Sequence, residues 1–296
     1  MRWGLIALLA ACHARLADPA GPDGHGVDPG DDAASAHDDA APAVDAALGP
    51  WGTPQKIPGA HDPTNGEDDV TMSWSGGELV YAVAVPGAKK HLYTMTYANG
   101  VFGTPALLPF SGIADDSSPR FSPDDLTLYF ASDRGGASLD IYATTRATVG
   151  GAWQTPALVA GPNTARVDKW YAPCGGNHYM VVSATANGDT DLYEGLAGSA
   201  PTAVASLNST ANETSAFLTM DCLDIYFASA RGATVDLYTS HRATVASPWP
   251  APTLVADFGT ADNEEDPWLS PSGRLFLFAR ATVAAPAQKD LYFSVR

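Results

Sequence analysis

Two independent markers recur five times along this chain, and that five-fold repetition restricts the fold more than any other feature. Trp74, Phe121, Tyr171, Leu218 and Leu269, each near the turn after an apolar run, stand 47, 50, 47 and 51 residues apart. Tyr93, Tyr142, Tyr193, Tyr238 and Tyr292, in a later run of each unit, stand 49, 51, 45 and 54 apart. A unit of that length cannot bury both faces of its own sheet, so it must stack on its neighbours. Stretches such as Leu126–Ser132 and Leu275–Arg280 are apolar nearly throughout, as strands covered on both faces require. The expected fold is all-β: a five-bladed β-propeller of four-stranded antiparallel blades.

The fourth strand of a unit is marked by an aromatic residue followed within three positions by proline: Phe102 to Pro105, Trp153 to Pro156 and Trp249 to Pro252. Proline lacks an N–H donor, so it belongs on the outer edge of a blade. The fifth unit reaches Arg296 without such a strand, whereas Trp51-Gly52-Thr53-Pro54 carries the motif ahead of the first unit. Residues 51–58 are therefore expected to complete the last blade, so that an N-terminal strand closes the ring.

Several repeat segments resemble the WD40-like, or PD40, repeats of TolB-like propellers. Ser122-Pro123-Asp124-Asp125, Ala131 to Gly136 and Asp140-Ile141-Tyr142 carry the likeness most fully. Ser229 to Gly232 with Asp236-Leu237-Tyr238, and Ser270 to Gly273 with Asp290-Leu291-Tyr292, carry it in part. The first and third units depart from it, with His91-Leu92-Tyr93 and Ala172-Pro173-Cys174 at the corresponding places. The resemblance implies a fold and leaves function open, because one fold hosts many functions.

Ahead of the repeats, Met1-Arg2 precedes a short apolar run, Trp3 to Ala11, and then Leu9-Ala10-Ala11-Cys12. This resembles a bacterial lipoprotein signal peptide over residues 1–12, which implies a lipid on Cys12. His13 gives no inner-membrane retention signal of the Asp type, so the outer membrane is the expected destination. The run is too short to span a bilayer, and the lipid would be the only membrane contact. Residues 13–49 are rich in Ala, Asp, Pro and Gly and carry eight Asp against one Arg, the composition of a disordered tether. The propeller is expected over 50–296, as a monomer.

The chain has 16 Lys and Arg against 33 Asp and Glu, a formal charge of -17. Phosphate neutralisation needs clustered cations, so nucleic acid is excluded as a partner. Instead a polar cluster precedes each first strand: Glu67-Asp68-Asp69, Asp115-Asp116, Arg166 to Asp168, Asn212-Glu213 and Asn263 to Asp266. A ring would bring these to one mouth of its channel. The candidate ligand-binding residues are Asp69, Asp116, Arg120, Asp168, Lys169, Glu213, Glu264 and Asp266, with Trp170 and Trp268 near them. Such carboxylates suit Ca²⁺ or a basic peptide, and equally suit turns in which Asp and Asn cap the backbone. Glycoside hydrolysis by an acid and base pair drawn from Asp69, Asp116, Glu213 and Glu264 is the enzymatic alternative.

Asp140, Asp191, Asp236 and Asp290 recur at one position and are expected to hold backbone donors; Arg134 and Arg231 are expected to pair with acids or lie on the surface. Cys174 and Cys222 fall at nearly the same turn of adjacent units; their Cα separation would decide whether a disulfide forms. No phosphate-binding loop, nucleophile elbow or zinc-binding motif occurs. The expected function is a non-catalytic envelope lipoprotein that binds a protein or peptide partner. A polysaccharide hydrolase and a structural calcium-binding ring are its alternatives.

Overall fold

A computed structural model describes residues 48–296, except His61, Pro63 and Ala137. The expected signal peptide, Cys12 and nearly all of the tether lie outside the described residues. Five antiparallel sheets follow one another along the chain. Their inner strands are Gly66–Met72, Asp116–Phe121, Asp168–Pro173, Glu213–Leu218 and Asn263–Leu269. Each inner strand packs on the next, and the fifth packs on the first, so the ring is closed. Blades 2, 3 and 4 run inner to outer through four strands in chain order. Blade 1 adds a short hairpin strand, Val101–Phe102, to that plan.

Blade 5 takes its outermost strand from the start of the ring, with Gln55 opposite Phe293 and Lys56 opposite Tyr292. Ile57 is fully buried and donates its N–H to the Leu291 carbonyl, while Gly52 bonds to Val295 and to Ser294. Trp51 lies against the Arg296 guanidinium at 4.2 Å. The same stack joins Arg146 to Trp153 and Arg242 to Trp249, so Trp51 occupies the aromatic position of the fifth blade. In blade 1 Tyr97 and Phe102 replace the pair, ring on ring at 4.6 Å.

Strand pairing corrects the first of the two sequence markers. Met72, Phe121, Pro173, Leu218 and Leu269 are the equivalent residues, each paired just beyond the same irregularity. Trp74 and Tyr171 lie two residues out of that register. A blade turn tolerates an aromatic at several positions, whereas the pleat admits one register, and the corrected spacing then follows the tyrosine marker closely. The tyrosines hold: Tyr93, Tyr142, Tyr193, Tyr238 and Tyr292 all pair at one level of the second strand.

Apolar side chains fill the seams between blades, as where Val80, Leu92, Phe121, Phe130 and Tyr142 meet. In blades 1 to 3 the backbone donor that follows the third-strand position of His91, Asp140 and Asp191 is held from elsewhere. Ser111, Asn163 and Asn208, from the loops that lead to the next blade, accept the N–H groups of Leu92, Ile141 and Leu192 instead. Cys174 and Cys222 form a disulfide between blades 3 and 4, with Cα atoms 5.5 Å apart.

Candidate functional site

Each inner strand carries one extra residue between its first and last pairs. The chain absorbs it through a residue with left-handed φ: Asp69 (56°), Ser118 (54°), Trp170 (48°), Ser215 (57°) and Asp266 (57°). Left-handed backbone at a residue other than glycine costs about 1–2 kcal/mol, and here it recurs in every blade. The bulge re-aims these side chains toward one another across the ring. Trp170 Nε1 donates to Asp69 Oδ1 at 2.7 Å, and Ser118 Oγ donates to the same oxygen at 3.3 Å. Ser215 Oγ donates to Asp266 Oδ1 at 2.7 Å, and the Asp69 N–H donates to Asp266 Oδ2 at 2.9 Å. One network thus joins all five blades on the axis.

Beneath it the axis is filled. Thr71, Arg120, Ala172, Phe217 and Trp268 occupy one level, and with their neighbours they leave a void of only 10 Å³, about enough for a single water. Arg120 donates to the carbonyls of Val70, Pro119 and Ala216, which follow the left-handed residues of blades 1, 2 and 4. It is buried and makes no ion pair among the described residues, so it braces the bulges and does not face the mouth. Trp268 is core, packed with Trp74 and Phe217.

Above the network, charges of both signs alternate. Lys90 Nζ lies 2.5 Å from Asp68 Oδ2 and 3.6 Å from Asp69 Oδ2. Lys289 Nζ lies 2.9 Å from Glu265 Oε2 and 3.5 Å from Asp68 Oδ2. Lys169 sits over the Trp170 ring at 4.4 Å and has no carboxylate in ion-pair range among the described residues. Burial by itself would raise the Asp69 carboxyl; the ammonium groups of Lys90, Lys169 and Lys289 and the Trp170 N–H overcome it and hold Asp69 well below the usual carboxylate range. Burial, and then the Asp69 charge, push Asp68 and Asp266 upward. Lys169 is lowered by burial, with Lys90 and Lys289 adding to the effect. Burial opposes the charge on Lys90 and Lys289 as well, but their carboxylate neighbours raise both.

The eight predicted residues therefore separate into two sets. Asp69, Asp266 and Lys169 converge on the axis, with Arg120 below them. Asp116, Asp168, Glu213 and Glu264 turn into their own blades, which corrects their expected place at the channel mouth. Asp116 holds Ser111, Ser132 and Arg134; Asp168 holds Thr164 and Ser183. Glu213 holds Ser209, Ser229 and Arg231; Glu264 holds Thr260 and Arg280. Each staples the incoming loop to the second strand, and a group repeated in this way serves architecture. Arg134 and Arg231 are accordingly paired and half-buried, each over two aromatic rings.

Sequence reasoning missed Lys90 and Lys289 as site residues, and gave Asp68 and Glu265 no separate role. The signal lay in departure from the repeat. Three residues before the marker tyrosine, blades 1 and 5 carry lysine where the others have Leu139, Thr190 and Val235. At the bulge, the same two blades carry Asp68-Asp69 and Glu265-Asp266 where blades 2 and 4 have Ser117-Ser118 and Thr214-Ser215. Among the described residues no three Asp, Glu, His or Cys side chains gather as metal ligands. Ammonium groups stand beside the axial acids where a calcium site would need a cation.

Closed blades around a plugged, charge-lined axis define a five-bladed β-propeller. No protein-family model matches the sequence, and no protein of curated function matches it. Its fold is similar to that of a protein assigned as TolB from Agrobacterium tumefaciens, at 16% identity, 74% of this chain, 71% of that one and a TM-score of 0.50. It is also similar to the catalytic domain of a GH62 α-L-arabinofuranosidase from Coprinopsis cinerea, at 13% identity, 84% and 97% coverage and a TM-score of 0.55. An endo-arabinase from Bacteroides thetaiotaomicron is similar at 12% identity, 81% and 96% coverage and a TM-score of 0.53. These likenesses are of fold.

Proposed function

We propose that this propeller is a non-catalytic binding module of the bacterial envelope, held to the outer membrane by a lipid on Cys12, which receives a protein or peptide segment at the charged mouth of its channel. The observation that carries the reading is Lys169. It is half-buried beside Lys90 and Lys289, both already paired, and has no carboxylate in ion-pair range among the described residues, so an incoming carboxylate would supply its missing counter-charge. Glu265 and Asp68 stand beside the paired lysines and would exclude a segment carrying the wrong pattern, since charge pattern selects partners more than it adds affinity. The test is capture from envelope extract on the immobilised full chain, with Lys169→Gln in parallel. A discrete protein retained by the native chain, weakened by salt and lost in the variant, supports the reading. Equal retention by both removes Lys169 from it.

The second reading is hydrolysis of an envelope polysaccharide. One observation favours it: Asp69 is held ionised while Asp266, next to it, is pushed toward its protonated form, the split that acid and base roles need. The α-L-arabinofuranosidase and the endo-arabinase of similar fold make arabinose-containing glycans the substrates to try. It ranks second because both carboxylates are sealed from solvent, at 1% and 0% exposure, and occupied by Trp170, Ser118 and Ser215. Sugar release abolished by Asp69→Asn or Asp266→Asn would reverse the order.

A further inference from the structure

A surface cavity lies away from the charged mouth, in the seam between blades 1 and 2. It is a groove of 670 Å³, within the range of small-molecule sites. Its position follows from the chain path. The turn after the inner strand of blade 1, at Ser73 to Gly77, and the loop Val149 to Trp153 of blade 2 both lie at the end of the ring opposite Lys90 and Lys289.

Three properties define what the groove would take. It carries one pair of opposite charges and no net charge: Arg146 Nη1 meets Glu78 Oε2 at 2.6 Å. That pair sets a donor beside an acceptor. Glu78 Oε1 already accepts from Thr94, and Arg146 Nε donates to the Asp125 carbonyl. Arg146 Nη2 has no partner and the side chain is only 1% exposed, so this donor lies sealed beneath the groove, as Arg242 Nη2 does in blade 4. Finally, Trp153 lines the same space with Met95, Leu108, Pro109 and Val149, a mostly apolar surface that the hydroxyls of Thr96 and Thr104 interrupt.

Neither the stack of arginine on tryptophan nor the ion pair and unpartnered Nη2 is itself the signal. Arg242 stacks on Trp249, pairs with Glu194 and leaves its own Nη2 unpartnered, and the stack recurs in blade 5. What differs is the surroundings of the tryptophan. Trp249 is buried, and its indole N–H is taken by Glu194. Trp153 is half-buried and borders the groove, so its ring faces open space where Trp249 does not.

We propose that this groove is a binding site for a neutral oligosaccharide. Neighbouring sugar hydroxyls each donate and accept, which matches a guanidinium and a carboxylate side by side. The C–H face of a sugar ring suits the indole, and a ligand without charge leaves the Arg146–Glu78 pair undisturbed. An anionic glycan would meet Glu78 without gaining an unpaired cation. The site is independent of the axial cluster and of either reading of its function.

Calorimetric titration of the full chain with cellotriose, maltotriose and xylotriose, and with trigalacturonate as the anionic counterpart, tests this. At least one neutral trisaccharide should bind with a Kd of about 1 mM or tighter, and trigalacturonate at least tenfold more weakly. Ala152→Trp fills the groove from its exposed rim without touching the Arg146 stack and should weaken binding at least tenfold. Arg146→Lys, which keeps the charge and loses the guanidinium stacked on Trp153, should do the same. Binding unchanged in Ala152→Trp, tighter binding of trigalacturonate, or no binding of any neutral trisaccharide overturns the proposal. So does a proline-rich peptide that binds in the groove where the sugars do not.

Discussion

At the scale of single residues, the axial network is a place where removing one charge leaves another buried without a counterpart. Lys90→Met strips Asp68 and Asp69 of their nearest cation, and the cost should be about 3 kcal/mol in urea unfolding. Adding Asp68→Asn should recover part of it, because that raised carboxyl then no longer needs compensation. A simple loss of packing at Lys90 would show no such recovery. Glu67 behaves in the opposite sense. It is buried with one oxygen unpartnered, and burial, then the Asp290 charge, raise it from 4.5 to about 8. An acid raised in the fold keeps its proton there, so stability falls as the pH climbs from 4.5 toward 8. Glu67→Gln should therefore leave thermal stability unchanged near pH 4 and raise it by about 2 kcal/mol at alkaline pH.

At the scale of elements, closure of the ring rests on a strand of two paired residues, and its strength comes from what flanks them. Ile57 enters the core, Lys56 pairs with Asp290 at 2.7 Å, and Trp51 packs on Phe258, Phe276 and Arg296. Ile57→Ala should cost about 3 kcal/mol, as deletion of buried aliphatic groups does. Ile113→Ala, at a residue 88% exposed, should change stability by less than about 0.5 kcal/mol. The disulfide acts on the same scale at the seam of blades 3 and 4. It spans a sequence separation of 48, and reduction should lower stability by about 4 kcal/mol by the loop-entropy rule. The double substitution Cys174→Ser and Cys222→Ser should match reduction in magnitude and be insensitive to added reductant.

At the scale of the whole molecule, a charge of -17 makes nucleic acid a poor partner, and duplex DNA should fail to shift the chain in a gel at physiological salt. Export and lipidation are tested on the intact chain in a bacterial host. Labelled fatty acid should appear on the native protein and be lost in Cys12→Ala, while an unlabelled native protein would remove the lipid anchor from the proposed function.

The blades were legible in the sequence because a sheet covered on both faces needs apolar residues in every unit, and each unit repeats them. The tyrosines, the proline-marked outer strands and the displaced Trp51 strand all reflect local chemistry imposed five times over. The charged site was legible only in part. Asp69 and Asp266 could be suspected from their position, but nothing local distinguishes them from Asp116 or Glu213, which turn away to staple loops. That choice is made by the bulge, whose left-handed residue re-aims one side chain per blade, and by Lys90 and Lys289, which third-strand geometry carries to the mouth. The number of blades, their strand order and the way the ring closes can be read from the residues alone, because those follow from periodic burial. Which acids share the axis and which lysines hold them emerges from the folded ring, because a buried charge is placed by counter-charges distant in the chain.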